Sequence, residues 1–144
     1  MMDVVEAMRQ MLTGADFTDP TKLLSNVSSR AACARLDGVP YSIASNTRHT
    51  DIWNLVLLAR LKGLPKVNPY PDFPVIAESD WPQVRRDFLA NLEEAMQIAS
   101  AEPFVHRCQS DEAARKLLLR IAIHSTYHMG QINLLKRMLR AKNK

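Results

Sequence analysis

The longest uninterrupted pattern in this chain runs from Ser110 to about Arg140, and it decides the fold class. Ser110 is placed as an N-cap, and Asp111 and Glu112 follow in the first turn, where acidic side chains suit the positive end of a helix. Leu117, Ile121, His124, His128 and Leu135 then fall along one stripe at the 3.6-residue period. Three further runs show the same period. Val4, Val5, Met8, Met11 and Leu12 form the first, with Gly14 as its stop. The second extends from about Ser42 to Lys62, ended by Gly63 with Pro65 behind it. The third begins at Asp80-Trp81-Pro82, with Asp80 as the expected cap, and carries Val84, Phe88, Leu89, Leu92, Met96 and Ala99 to about Ser100. A short helix is expected after Asp19-Pro20, with Leu23, Leu24 and Val27 on its apolar side, before the break at Gly38-Val39-Pro40. Residues 64–80, with four Pro, read as a long loop. No segment alternates as a strand does. The fold expected is all-α, a four-helix bundle with one short extra helix.

Composition agrees. The chain has 144 residues, enough for one core, and nothing divides it, so residues 1–144 read as a single domain. Only four Gly occur, too few for the turns of a β-rich fold. The net charge of +4 owes much to Lys136, Arg137, Arg140, Lys142 and Lys144, which complement a helix C-terminus. No recognition motif accompanies them, so no nucleic-acid partner is expected. No apolar run of about eighteen residues is present, and no membrane partner is expected. Met1–Gln10 carries Asp3, Glu6 and Arg9, unlike a signal peptide. Cys33 and Cys108 stand alone and are expected to be buried, reduced thiols, which places the chain in the cytoplasm.

The chemistry is carried by histidine. His124 and His128 lie 40° apart on one helix face, roughly 6 Å apart along the axis. They share that face with Leu and Ile, so they point inward. Gln131 lies 20° from His124 and points the same way. His49 shares its stripe with Ser42, Ser45, Asn46, Trp53 and Val56, a stripe that turns from polar to apolar at His49. Such a stripe suggests a cavity mouth lined by Ser42, Ser45 and Asn46, with Trp53 in its floor. Core-facing histidines are also common as hydrogen-bonded structural residues, and spacing alone leaves both readings open. His106, in a Pro-flanked loop, reads as a solvated bystander. Ser125 follows His124, so the HExxH of a zincin is missing. Ile121 stands where a di-iron bundle needs Glu. Neither Cys has the spacing of a structural zinc site.

His124-Ser-Thr-Tyr-His128-Met-Gly-Gln131-Ile resembles the HxxxHxGQ signature in the last helix of the DinB-like (DinB/YfiT) four-helix-bundle metalloproteins. Ser45-Asn-Thr-Arg-His49-Thr-Asp-Ile-Trp53 is similar to the segment that carries their third ligand. Pro40-Tyr-Ser42-Ile and Asp80-Trp81-Pro82 resemble the entries to their second and third long helices. The resemblance covers roughly residues 1–140. It implies one divalent metal held by His49, His124 and His128, with an open fourth position. Zn or Ni suits three imidazoles best, and Mn or Fe binds them more weakly. A water at the open position has its pKa lowered toward about 7, which supports hydrolysis of a small-molecule substrate. A thiol there is deprotonated, which supports transfer to or from bacillithiol, mycothiol or glutathione. A non-catalytic metal or ligand binder is the third reading. No carboxylate shares the His124 face, so no general base is evident. Asn46, Tyr127 and Gln131 are the candidates for residues around the metal ligands.

A homodimer is expected as well. Leu118, Ile132 and Leu139 lie off the His124 axis and widen the apolar sector of the last helix, and Gly130 offers a place for close backbone approach. The resemblance implies pairing too.

Overall fold

The computed structural model describes residues 3–13 and 16–144. Its helices, in chain order, are α1 (Val4–Leu12), α2 (Pro20–Ser25), α3 (Ser29–Cys33), α4 (Ile43–Lys62), α5 (Trp81–Ser100) and α6 (Asp111–Lys142), with a single 3-10 turn at Glu78–Asp80. No strand is present among the described residues. The four longer helices pack together. α4 lies against both α5 and α6, and α1 closes the other side against the same two. α1 and α4 are therefore diagonal to each other across the bundle.

Local sequence explains most boundaries. The Asp3, Ser28, Ser42 and Ser110 side chains accept from backbone N–H groups in the first turns of α1, α3, α4 and α6. Asp19 does the same for α2, ahead of Pro20. Gly63 ends α4 at a φ of 66°, in the left-handed region that a glycine enters without strain. A Cβ there would also stand 2.9 Å from Arg107 Cβ, because the Arg107 N–H donates to the Leu61 carbonyl at this point. The Gly14 stop lies outside the described residues; the chain leaves α1 at Thr13.

Five expectations are corrected. There are two short helices rather than one, because Ser28 starts a second turn of helix after α2. The Asp80 side chain makes no capping bond; α5 is entered instead through the 3-10 turn, and Trp81 anchors it by donating from Nε1 to the Val27 carbonyl at 2.9 Å. Leu118 and Ile132 are fully buried in the chain's own core. Their apolar surplus covers α1 and the connecting helices, so it gives no argument for pairing. The large apolar residues that α6 does expose are Ile123, Tyr127, Leu134 and Met138. Lys136 also differs from its reading as a helix-end cation, since its Nζ donates to the Leu23 carbonyl and ties α2 to α6. Cys33 and Cys108 are unlinked and only half-buried.

The unusual element is α4. Wedged between α5 and α6, it buries Ser45, Asn46, Thr47, His49, Thr50, Asp51 and Asn54. Buried polar groups require partners. Thr47 and Thr50 donate to carbonyls one turn back, and Asn54 donates to Ser125 Oγ at 2.8 Å. Toward α5, the buried Asp51 accepts from Asn91 Nδ2 at 2.7 Å, and Arg48 lies between Asp51 and Asp87 at 3.4 Å from each. Burial pushes the Asp51 carboxyl up to about 6, against the lowering by Asn91 and Arg48.

An unfolded Asp titrates near about 3.9. The folded chain therefore holds the Asp51 proton more tightly. That stabilisation is complete below the unfolded value and is lost as pH rises through about 6. Between pH 4 and pH 7 the loss amounts to about 2 kcal/mol. Urea unfolding of the wild type and of Asp51→Asn at both pH values should show the wild type losing that much more than the variant. Parallel pH profiles would contradict this account of Asp51.

Candidate metal centre

α4 and α6 run antiparallel, and their polar seam brings Asn46 to Gln131, His49 to His128, and Asn54 to Ser125. At its centre three imidazoles meet. His49 Nε2 lies 3.2 Å from His128 Nε2, which lies 3.1 Å from His124 Nε2. The three ligand atoms all fall within 4.8 Å of one another. Ligands at about 2.0–2.1 Å from one ion stand about 2.9 Å apart at right angles and about 3.3 Å apart at the tetrahedral angle. The His49–His128 and His128–His124 separations lie between these values.

The other ring nitrogens decide what this cluster can hold. His49 Nδ1 donates to Asp72 Oδ1 at 2.5 Å, and Asp72 Oδ1 also accepts from Trp53 Nε1 at 3.2 Å. His128 Nδ1 donates to Gln131 Oε1 at 2.8 Å, and Asn46 Nδ2 donates to the same oxygen at 3.0 Å. With both Nδ1 atoms protonated, His49 and His128 direct unprotonated Nε2 lone pairs at each other. In that tautomer no proton bridges them, and a cation bound at this point would be favoured. His124 Nδ1 is buried and has no partner, so only this ring is free to choose its tautomer. Burial, followed by the neighbouring imidazoles, pushes His124 down to about 4. Burial also lowers His128, against the bond to Gln131. Neutral imidazole is the metal-binding form.

Asp72 and Phe73 are the site residues that sequence reasoning missed. Both sit in the Pro-rich loop between α4 and α5. Burial works to raise the Asp72 pKa, but the hydrogen bonds from Trp53 and His49 work against it, and the carboxyl lies below its usual range. Phe73 takes a positive φ of 50°, unfavourable for a residue with a Cβ. In that position its ring stacks on His49 at 3.8 Å between centroids and on Tyr41 at 4.9 Å. The loop thus clamps His49 from the edge through Asp72 and from the face through Phe73. Helical periodicity carries no signal for such contacts. The one cue was an acid beside an aromatic within a proline-rich segment.

The remaining expected residues divide. Asn46 and Gln131 form the chain that orients His128. Tyr127 is exposed and meets His128 edge-on at 5.1 Å. Ser42, Ser45 and Asn46 are buried rather than lining a mouth; Ser42 is spent on the α4 cap. Trp53 instead lines a cleft of about 400 Å³ on the opposite side of His49, together with His124, Tyr127 and Ile123. His106 is no solvated bystander: its Nε2 donates to Asp111 at 2.7 Å and its Nδ1 accepts the Cys108 N–H, stapling the last loop to the start of α6.

No family model, no curated protein and no solved structure matches the chain. The case for a metal centre stands on the geometry of the three histidines.

Partners of a ligating histidine tune metal affinity, and their loss costs about 10–100-fold. Asp72→Ala should weaken zinc binding by that factor in competition with a chromophoric chelator. Because Asp72 is 45% exposed, the variant should fold normally. Unchanged zinc affinity would remove Asp72 from the site.

Proposed function

We propose that His49, His124 and His128 hold one divalent transition metal, and that the chain is a metal-dependent hydrolase of small molecules. The observation that carries this reading is the convergence of one ring nitrogen from each of His49, His124 and His128, with the Nδ1 atoms of His49 and His128 bonded to Asp72 and Gln131. Zn or Ni suits three imidazoles best, with Mn or Fe weaker. Among the described residues no fourth Cys, Asp or Glu joins the group, which favours a catalytic over a closed structural site. Three neutral ligands leave the ion its full charge, and when bound it supplies a Lewis acid to an incoming oxygen or thiol. The residues around it hold the rings rather than move protons: Asp72 and Gln131 fix two tautomers, and Phe73 covers the His49 face. The cleft beside His124 gives a small substrate a route to the ion.

Four packed helices with a His on the second long helix and a His pair on the last support membership of the DinB-like metalloproteins as a single domain. Thiol-dependent transfer remains the second enzymatic reading, and a non-catalytic metal binder the third. No described helix is long and apolar enough to cross a membrane. We place homodimer formation on the exposed α6 residues Leu134 and Met138 rather than on Leu118 and Ile132.

Protein purified without an affinity tag should contain near one transition-metal ion per chain by elemental analysis, and His124→Ala/His128→Ala should contain none. A panel of activated esters and of electrophiles, each with and without low-molecular-weight thiols, then separates the activities. Thiol-free ester turnover that disappears in the double variant is expected. Turnover only with a thiol would replace hydrolase by transferase, and no turnover in either arm would leave a binding protein.

A further inference from the structure

The cleft beside the metal centre has a charge distribution of its own. Its walls are apolar: Trp53, Val56 and Leu57 from α4 face Ile123 and Tyr127 from α6. One end is His124. The same cleft is lined by two cations, Arg60 and Arg120. Among the described residues neither guanidinium forms an ion pair, whereas Arg48, Arg9 and Arg115 each reach a carboxylate. No acidic residue lines this cleft.

Helix geometry supplies a ruler. Arg120 lies one turn before His124 on α6, roughly 6 Å along the axis, and two turns, roughly 12 Å, before His128. Because the two helices run antiparallel, with Asn46 beside Gln131 and Asn54 beside Ser125, the chain beyond Asn54 on α4 runs toward the start of α6. Arg60 is therefore brought to the same end of the cleft as Arg120. Two unpaired guanidiniums on an apolar trough form a fork for a carboxylate or phosphate attached to an apolar body.

We propose that this cleft binds amphipathic small-molecule anions. The carboxylate or phosphate sits on Arg60 and Arg120, an aryl or short acyl body lies between Trp53 and Ile123, and the other end of the molecule reaches His124. The proposal names the substrate class of the metal site and rests on that reading for the event at the far end; anion capture by the arginines is independent of it. The spacing sets the molecule's length: a body spanning roughly 6–12 Å fits, and a bare anion reaches only one end.

Calorimetric titration of the full-length, as-purified protein tests this, with 3-phenylpropionate as probe and its neutral amide as control. Phenyl phosphate and inorganic phosphate tell a preferred anion type from anion binding without a body. The acid should bind at least tenfold more tightly than the amide, and phenyl phosphate more tightly than inorganic phosphate. Arg60→Gln/Arg120→Gln should abolish the acid's advantage, and Arg60→Lys/Arg120→Lys should restore part of it. Both arginines are exposed, and the melting temperature verifies that the variants fold. Equal binding of acid and amide, or unaltered acid binding by the Gln variant, overturns the proposal. Metal content measured on the same samples separates the two readings. Acid selectivity in protein without metal removes the enzyme and keeps the anion cleft, whereas metal without acid selectivity removes only the cleft's preference.

Discussion

The Nε2 atoms of His49 and His128 face each other at 3.2 Å, and the seam of α4 and α6 holds them there. The restraint comes from both sides. Asp72 and Gln131 take the Nδ1 protons, Asn46 fixes the Gln131 amide, and Phe73 presses on the His49 face. An ordinary bundle seam would fill this space with Leu and Ile, at little cost. Here the buried positions of α4 from Ser45 to Asn54 are Ser, Asn, Thr, His and Asp, each needing a partner. A divalent ion bound at the three histidines would have three ligands, and the polar interior would serve as its support.

Much of the fold was legible because helical period, caps and stops agree with one another. Ser42, Gly63 and Ser110 mark ends that the structure also has. The His trio was legible for the same reason: residues four apart on a core-facing helix must share a face. What periodicity cannot carry is contact made by irregular chain. Asp72 and Phe73 meet His49 from 23 and 24 positions away through a loop whose path no repeat encodes. His106 was misread as a solvated bystander for the same reason, since its partners are a carboxylate five residues on and a backbone N–H. The off-axis residues Leu118 and Ile132 misled because a wheel shows direction but not how many neighbours surround a helix. α6 is covered by α1, α4, α5 and the short helix α2, so it buries a wider sector than a simple bundle requires.

The two flanks of His49 divide the work. Toward the start of α4, Ser42, Ser45 and Asn46 are buried; toward its end, Trp53, Val56 and Leu57 open onto the cleft. The three histidines are therefore open to the cleft on the His124 side, beside the one ring whose Nδ1 has no partner. His49 and His128 are held rigidly, while His124 is positioned by helix geometry alone. An ion at this site has two anchored ligands and one that can adjust as the remaining coordination positions change occupant.

X-ray absorption at the metal edge of the loaded protein addresses the central claim most directly, because it counts ligands and measures their distances without assuming a reaction. For zinc, three imidazole nitrogens should appear at about 2.0–2.1 Å, with the outer-shell scattering of intact rings, and His49→Ala should lower that number by one. A sulfur shell at about 2.3 Å, or an imidazole count that His49→Ala leaves unchanged, would show that the ion is bound elsewhere and that the three histidines are a structural cluster.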